Sequence, residues 1–345
     1  MVFFLTPKPK TFLDYQRILS PTGCLPSWEG RVCRCSKDTT FEILDNFWNA
    51  GGNFIDTSNN YQFEESEEPT KYTKYWLVMK KDPRVHSSFQ GNHSKSLRVS
   101  VEDSLKKLQT NCIDIDYSTS IPEVMQSLNP LATAGKVLYL GVSDTPAWVV
   151  SKANHYARDH GLAQFMIYQG MWNAANCDLE RDIISMCRDE GMAIAPWSAL
   201  GSGQFKTVEQ RKQPGGRATG PNSEKAIKIS EVLEKIAKEK ILSSLAMAYV
   251  LHRAPNVFLV IGGLNSAHLQ GPIDALGISL TEEELEEIDD SSEFDSWFPQ
   301  AFMFSFWGAK YDSRKNTKNV MLVQNASWLH IPEQDVNYQA PRMNQ

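Results

Sequence analysis

Residues 135–154 read GKVLYLGVSDTPAWVVSKAN, which combines a predicted strand with a predicted helix. Its first part, 136–143, is a short apolar run of the kind that forms a buried parallel strand. Thr145-Pro146 then predicts a helix start, because a capping residue precedes a proline that fits the first turn. A strand that ends in polar residues and leads directly into a helix is the repeating half of a βαβ fold.

The same pattern recurs outward from this unit in both directions. Short β-rich runs that end at turn residues lie at 53–57, 112–117, 164–169, 192–198 and 257–262. Helical periodicity fills the intervals, and the alternation predicts an α/β fold with a parallel sheet. A closed (β/α)8 barrel and an open doubly wound sheet both fit. Six strands fall short of the eight that a barrel needs.

Several helix ends carry recognisable caps. Asp38, Ser120 and Thr281 are predicted N-caps, and Glu123 completes a capping-box pattern with Ser120. Gly135 is expected to end the helix that Ser120 begins. Four apolar side chains are predicted to share one face of the first helix: Phe41, Leu44, Phe47 and Trp48.

Composition narrows the classes of function. The 345 residues are 41% hydrophobic and 22% charged, and 35 basic against 41 acidic residues give a net charge of -6. This balance gives no reason to expect nucleic-acid binding, and no apolar run is long enough to span a bilayer. The first ten residues lack the organisation of a secretory signal. Six cysteines without zinc-ligand spacing predict free thiols, no metal site and a cytoplasmic protein.

Three polar residues around the second predicted strand could carry chemistry. Asp56 lies at the carboxyl end of the strand predicted in the run NFIDT, Tyr61 lies five residues later, and Lys71 follows in the tetrapeptide TKYT. Barrel active sites form at the carboxyl ends of strands, where Asp56 is placed. A lysine held by Asp56 would favour the ionised phenol, so Tyr61 could act as a general acid toward a carbonyl oxygen. The simpler alternative is a buried aspartate that caps a loop, with the tyrosine packed on it.

Polar and glycine residues also follow the later strands: Ser143, Asp144, Gln169, Trp197, Ser198 and the turn 200–203, LGSG. The side chains of Ser143, Asp144 and Gln169 could hydrogen-bond a carboxamide, and the ring of Trp197 could stack on a flat ring. The turn would let backbone N–H groups approach a phosphate. Taken singly each signal is weak, since Gly-Ser-Gly is also a common surface loop.

Long motifs resemble the aldo-keto reductase superfamily: GGNFIDTSNNYQ, GKVLYLGVSDTPAWVVSKAN, YQGMWN and APWSALGSGQF. Within it the chain is most similar to the fungal aryl-alcohol dehydrogenase group, with the norsolorinic acid reductase-like enzymes of aflatoxin and sterigmatocystin biosynthesis. The resemblance begins at about residue 17. It implies a single (β/α)8 barrel domain over 1–345, with its core at about 17–292 and a C-terminal extension at 293–345. It also implies NADPH as the cofactor and hydride transfer to or from a carbonyl carbon.

The resemblance assigns roles residue by residue. Asp56, Tyr61 and Lys71 match the catalytic residues of the family, and Lys80 in WLVMKK is a rival for the lysine. The remaining matches are cofactor positions. Ser143, Asp144 and Gln169 match the carboxamide site, Trp197 matches the ring that stacks on nicotinamide, Ser198, Leu200 and Gly201 match the pyrophosphate turn, and Gly262 and Gly263 match the C-terminal glycine pair.

Three gaps interrupt the family's barrel pattern. The opening strand is expected between residues 21 and 37, where GCLPSWEGRVCRCSK has no strand character. Only residues 67–69 stand where the family has a helix and its third strand. The fourth strand, 112–117, runs straight into 118–125 without the segment that carries a catalytic histidine. The sequence therefore predicts an incomplete barrel about forty residues short, through mis-assigned exon boundaries or through real divergence of the gene.

Two changes bear on chemistry. Loss of the histidine should weaken the positioning of the substrate carbonyl and so lower the reaction rate on the order of 10²-fold. Leu264 stands where the family carries a basic residue, which predicts a weaker preference for NADPH and makes NADH possible. The expected activity is reduction of an aromatic aldehyde or ketone, or oxidation of an aryl alcohol. The alternative is an impaired homologue that binds cofactor or a protein partner without efficient turnover.

The C-terminal stretch 294–307, FDSWFPQAFMFSFW, is densely aromatic. It could line a pocket for a flat aromatic carbonyl substrate, the small-molecule partner that we expect. It could equally pack over the outer helices of the barrel.

Overall fold

The computed structural model describes residues 17–19, 37–50, 54–55, 119–135, 137, 139–212, 223–237, 242–263, 266–299 and 302. The strands are β1 (Arg17–Leu19), β2 (Phe54–Ile55), β3 (Leu140–Ser143), β4 (Phe165–Met171), β5 (Ala193–Trp197) and β6 (Leu259–Ile261). The helices are α1 (Lys37–Asn49), α2 (Ile121–Thr133), α3 (Ala147–Asp159), α4 (Ile183–Asp189), α5 (Val208–Lys212), α6 (Glu224–Ala237), α7 (Leu242–Arg253), α8 (Gln270–Ala275) and α9 (Glu282–Asp290).

The chain forms two compact units. The first comprises Met1–Gly170, Met186–Trp197 and Phe258–Gln270, and the second comprises Met171–Ser185, Ser198–Val257 and Gly271–Gln345. The strands belong almost wholly to the first unit and the helices α5, α6, α7 and α9 to the second.

The strands of the first unit follow the order of a barrel. One sheet has the order β2-β1-β6 and the other β3-β4-β5. The Phe258 N–H, next to β6, donates to the Ile194 carbonyl of β5 at 2.8 Å, so β5 and β6 run side by side. β1 pairs in parallel with both β2 and β6, which joins the first described strand to the last. Pairing of first and last strands is the closure that a barrel requires and that an open doubly wound sheet lacks.

A short strand, β1, precedes the segment 21–37, whose predicted lack of an opening strand lies outside the described residues up to residue 36. β1 lies at Arg17–Leu19, just before the segment where the strand was expected, with Ile18 in register with Phe54 and Val260. Three residues are too short to show a strand pattern, and their parallel partners on both sides identify them. The predicted strand 112–117, the gap at 67–69 and the missing end of the fourth strand lie outside the described residues.

Four predicted strands appear within a few residues of their expected bounds, at β2, β4, β5 and β6, and the run 136–143 contains β3 at its end. Side chains of β4 and β5 fill the interior of this unit. Ile167 and Ala195 are buried, and Phe258 and Val260 pack against them. Alternate residues of buried parallel strands meet in this way.

The first helix differs from its prediction. α1 begins at Lys37, so Asp38 stands inside its first turn and is not the N-cap. Ile43 and Phe47 are the buried side chains, whereas Phe41 is 41% and Trp48 is 62% exposed. The prediction is wrong for Phe41 and Trp48, because large apolar side chains often remain at the surface.

Other helix ends agree better with their predictions. The Ser120 hydroxyl accepts from the Glu123 N–H at 3.3 Å, and Gly135 takes a left-handed φ of 66° after α2. Thr281 and Glu284 form a complete capping box at α9. Thr145 is not a cap: its hydroxyl donates to the Ser143 carbonyl at 2.8 Å, and Pro146 occupies the N-cap position of α3.

The second unit is organised around buried charge. α7 packs on α6, and α9 packs on α6 as well. At the end of α7 the Arg253 guanidinium lies between Glu180, at 3.3 Å, and Asp289 of α9, at 3.2 Å. The Trp172 indole donates to Glu180 at 2.9 Å, and the Tyr249 hydroxyl donates to Asp289 at 2.7 Å. We call these five side chains the Arg253 network.

Candidate active site

Polar groups gather where β3 and β4 end. Ser143 is in register with Gln169, and the Asp144 N–H donates to the Gln169 carbonyl at 2.9 Å. The Ser143 hydroxyl donates to the Asp144 carboxylate at 2.9 Å. Asp144 has a φ of 46°, a left-handed conformation that Asp tolerates better than most residues, and it turns the chain sharply out of the strand. The structure thus brings together the three predicted carboxamide-binding residues.

Further predicted site residues end the next strands of the same unit. Trp197 is the half-buried last residue of β5, and Gly262 and Gly263 follow β6 directly. Because the carboxyl ends of neighbouring parallel strands meet at one edge, these positions share the edge that holds Ser143 and Gln169. Strand ends of this kind are where α/β folds bind their ligands.

The predicted phosphate turn, which we call the Ser198 turn, spans Ser198–Gly203 in the second unit. Four of its residues have left-handed φ values: Ser198 (63°), Gly201 (60°), Ser202 (53°) and Gly203 (85°). The hydroxyls of Ser198 and Ser202 are 2.7 Å apart and hydrogen-bonded. A side chain at Gly201 would meet the Phe205 ring at 3.1 Å, so glycine suits this position in space as well as in conformation.

The Ser198 turn leaves backbone donors available. The N–H groups of Gly201, Gly203 and Gln204 bond within the turn. In the part of the chain that the structure describes, the N–H groups of Ala199, Leu200 and Ser202 meet no acceptor. A tight turn of mixed handedness with unpaired N–H groups is the usual protein receptor for an anion.

Each unit has its own set of hydrogen-bonding groups. In the first unit, the Ser143 hydroxyl and the Gln169 side chain are groups of the kind that hydrogen-bond a carboxamide, and Gln169 is buried. The Ser198 turn supplies N–H groups for a pyrophosphate. No cluster of three or more His, Cys, Asp or Glu side chains able to hold a metal ion occurs within the described ranges.

The predicted catalytic residues lie elsewhere in the chain. Asp56 follows the last residue of β2, while Tyr61, Lys71 and the rival Lys80 come later. All four, together with Leu264, lie outside the described residues, and their roles stay predictions.

The sequence analysis does not predict Asn173, whose side chain contacts the Ser198 turn. Asn173 is fully buried, and its side-chain amide donates to the Ser198 carbonyl at 3.0 Å. The signal was present, because Asn173 closes the motif YQGMWN that also contains Gln169. A buried asparagine has no periodicity to mark it, so only its contacts reveal its place.

Part of the aromatic C-terminal stretch is anchored on Arg181. The Arg181 guanidinium stands 4.1 Å from the centre of the Trp297 ring and 5.5 Å from that of Phe294, and its Nε donates to the Asp295 carbonyl at 2.7 Å. Asp178 pairs with the same guanidinium. Phe298, one residue further on, is 81% exposed. Contacts of this kind hold the start of the extension against residues 178–181.

Among the described residues no helix combines the length and the apolar character needed to cross a membrane.

Comparisons with known proteins agree with this architecture. The profile of the aldo/keto reductase family matches residues 26–293. Norsolorinic acid reductase B of Dothistroma septosporum is 49% identical, and the alignment covers 88% of this chain and 86% of the relative. An aryl-alcohol dehydrogenase of Pestalotiopsis microspora is 43% identical, with 88% of each chain covered. The solved structure of the glycerol dehydrogenase AKR11B4 from Gluconobacter oxydans superposes with a TM-score of 0.64 at 23% identity, over 82% of this chain and 94% of that one.

The alignments also show that this chain is short in its interior. They run over 339 and 344 positions, yet they take up only 88% of 345 residues, or about 304. About 35 and 40 positions of the two alignments therefore have no residue in this chain. This agrees with the shortfall of about forty residues that the sequence predicts.

Strand order, closure between β1 and β6 and likeness to a solved barrel together establish the (β/α)8 fold. Reductases of this family act on small-molecule carbonyl compounds and use NAD(P)H. With its profile match over most of its length and relatives above 40% identity, the chain belongs to the aldo/keto reductase family of oxidoreductases.

Proposed function

We propose that this chain reduces the carbonyl group of an aromatic aldehyde or ketone with NADPH, or runs the reverse oxidation of an aryl alcohol. The observation that carries the proposal is the pairing of Ser143 and Gln169 at adjacent strand ends. Separately, the Ser198 turn of the second unit, with its unpaired N–H groups, supports a phosphate-bearing cofactor. Relatives named norsolorinic acid reductase and aryl-alcohol dehydrogenase support an aromatic substrate and suggest a place in anthraquinone-type polyketide biosynthesis.

The protein's own part in the reaction follows from its side chains. When bound, the nicotinamide supplies the hydride that reaches the carbonyl carbon. Ser143 and Gln169 fix the carboxamide and so the ring face that is presented to the substrate. Tyr61 gives its phenolic proton to the carbonyl oxygen, which leaves an alcohol, and Lys71, held by Asp56, stabilises the phenolate that forms.

Substitution of the tyrosine tests the reaction. We expect NADPH oxidation with a panel of aryl aldehydes, followed by absorbance at 340 nm, to fall to background in Tyr61→Phe, because no group then supplies the proton. Tyr139→Phe removes a hydroxyl from a half-exposed tyrosine and serves as the matched control. Equal rates in the unaltered chain and in Tyr61→Phe would refute the proposal.

Cofactor preference follows from Leu264. We propose NADPH with reduced selectivity, since a basic residue at this position would pair with the 2′-phosphate. Leu264→Arg should tighten NADPH binding by about tenfold or more and leave NADH binding unchanged, because one charge-assisted hydrogen bond is worth about 1.5–3 kcal/mol. Leu264→Gln is the uncharged control. A large NADPH preference in the unaltered chain would contradict the idea.

The short interior favours a second candidate. About 35 to 40 positions of the relatives have no counterpart here, and the sequence predicts that the catalytic histidine is among the losses. A chain impaired in this way would bind cofactor with little turnover. NADPH binding by fluorescence, together with the aldehyde assay, separates the two candidates.

We further propose that the chain works as one barrel domain, with its core at 17–292 and an extension at 293–345, in a reducing cytosol. The family match over 26–293 supports the domain limits. Cys177 and Cys187 are buried and form no disulfide, which is compatible with a reducing compartment.

A further inference from the structure

We infer that Asn173 is a positioning residue that holds the Ser198 turn in the conformation needed for phosphate binding. The inference rests on the proposed cofactor site and adds a residue to it that does not touch the cofactor. All of the contacts that carry it lie within the second unit.

The orientation of the Asn173 amide is fixed by its partners. Its oxygen accepts from the N–H groups of Ala175 and Asn176, at 2.9 and 3.0 Å, and from the side-chain amide of Asn176 at 3.2 Å. Its nitrogen donates to the Ser198 carbonyl at 3.0 Å. Every group around the oxygen is a donor and the group at the nitrogen is an acceptor, so a flipped amide would break all four bonds.

The bond to Ser198 acts on a strained residue. Ser198 has a φ of 63°, which is unfavourable for a residue with a side chain. Its carbonyl accepts two hydrogen bonds, one from Asn173 and one from the Gly201 N–H at 2.7 Å. The first bond holds the carbonyl in place and the second closes the turn, so both oppose a return of Ser198 to an ordinary conformation.

Release of Ser198 would rotate the peptide bonds that follow it. The unpaired N–H groups of Ala199 and Leu200 come directly after this residue. Their directions depend on the backbone angles ψ of Ser198 and φ of Ala199. Loss of the Asn173 amide should therefore change the directions of the N–H groups proposed to bind phosphate. The hydrogen bonds that Ser143 and Gln169 make at the strand ends should remain. The expected consequence is weaker cofactor binding with a smaller change in the chemical step.

Asn154 provides a matched control in the first unit. It is also fully buried, and its amide braces backbone in the same way, donating to the Phe165 carbonyl at 3.1 Å and accepting from the Phe165 N–H at 2.8 Å. Phe165 is the first residue of β4, at the opposite end of the strand from Gln169. Asn154→Ala should lower stability as Asn173→Ala does but spare the Ser198 turn.

The binding experiment compares the full-length chain with Asn173→Ala, Asn173→Asp and Asn154→Ala. We expect Kd for NADPH to rise about five- to tenfold in both Asn173 variants, because both lose the hydrogen bond to the Ser198 carbonyl, with kcat changed much less. Asn154→Ala should bind NADPH as the unaltered chain does. Unchanged Kd in a folded Asn173 variant would overturn the inference, as would an equal loss of affinity in Asn154→Ala. Asn173→Asp retains the acceptors for Ala175 and Asn176 and covers the case in which the alanine variant does not fold.

A second readout needs no cofactor. Hydrogen exchange of the Gly201 amide should accelerate in the Asn173 variants and stay unchanged in Asn154→Ala, because the Ser198 carbonyl that protects it is released. Unchanged exchange would overturn the inference. If the unaltered chain fails to bind NADPH while this exchange effect appears, the proposed function fails and the positioning role stands.

Discussion

Buried charged residues meet in the second unit. Arg253 is surrounded by Glu180 and Asp289, and both carboxylates are largely removed from solvent. Burial also raises the pKa of the Tyr249 phenol well above its ordinary value, so the hydroxyl stays protonated and donates to Asp289. Such groups gain little as an assembled set, but the loss of one partner leaves the others desolvated and unpaired.

Arg253→Met tests this at a single position. We expect the free energy of unfolding to fall by about 3–5 kcal/mol, because Glu180 and Asp289 would keep their charges without a cation. The measurement is urea denaturation at pH 7. Lys235→Met is the control: it breaks the exposed pair with Glu287 and should cost less than about 1 kcal/mol. Similar costs for both variants would argue against the Arg253 network.

His252 should give the protein a specific pH response. Burial lowers the pKa of His252, against the opposing hydrogen bond to Ala248 and the charges of Glu282 and Glu284. Its Nε2 accepts from the Leu280 N–H at 3.3 Å, which requires a neutral ring with the proton on Nδ1, toward the Ala248 carbonyl. The folded state therefore holds His252 neutral, whereas the unfolded chain protonates it near pH 6.5.

The sign of the effect follows from these two states. The stability that neutral His252 contributes is present above about pH 6.5 and is lost as the pH falls below that value, since the unfolded state then binds more protons. We expect the free energy of unfolding, measured in urea at pH 7.5, 6.5 and 5.5, to fall less steeply in His252→Gln than in the unaltered chain. His155→Gln, at an exposed histidine of α3, should keep the original slope. Parallel slopes in all three would remove His252 as the cause.

At the scale of the element, the N-terminus of α9 allows the contribution of a helix cap to stability to be measured. The Thr281 hydroxyl accepts from the Glu284 N–H at 3.2 Å, and the Glu284 carboxylate accepts from the Thr281 N–H at 2.9 Å. Thr281→Ala should lower the free energy of unfolding by about 1 kcal/mol. Glu286→Ala changes an exposed residue of the same helix and should be close to neutral. Equal effects on the urea midpoint would show that the cap contributes nothing.

Strand positions were more predictable than helix faces. The sequence patterns at 164–169 and 192–198 predict β4 and β5, because buried parallel strands are apolar throughout. For α1 the predicted apolar face includes Trp48, which is exposed, and leaves out Ile43, which is buried. Helix faces depend on the neighbouring surface, which a single sequence does not specify.

At the scale of the whole molecule, closure could not be predicted from local patterns. β1 has three residues, begins with an arginine and is recognisable only by its pairing with β2 and β6. The strand-end residues Ser143 and Gln169 could be predicted, because a barrel places its site at that edge. Asn173 could not, since its role depends on contact with a residue 25 positions away in the chain.

The interior shortfall makes a prediction for the gene. We expect a cDNA read across residues 22–37, 66–71 and 115–118 to contain additional codons, because the flanking motifs match the family on both sides of each gap. The longer chain should turn over aryl aldehydes on the order of 10²-fold faster through its catalytic histidine. A transcript that matches the 345 residues without insertion would instead indicate a gene that has diverged.

Among the described residues, Cys177 and Cys187 are buried thiols, and the labelling of each reports on the opening of the protein around it. Cys187 belongs to the first unit and Cys177 to the second, and burial raises the pKa of Cys187 to about 12. A thiol in this state is alkylated only when the protein around it opens, so its labelling rate measures the opening free energy at that point. With the other four cysteines replaced by serine, matching rates would mean that the two units open as one cooperative body, and unequal rates would rank their stabilities. Bound NADPH should slow the labelling of the thiol in the unit that it stabilises.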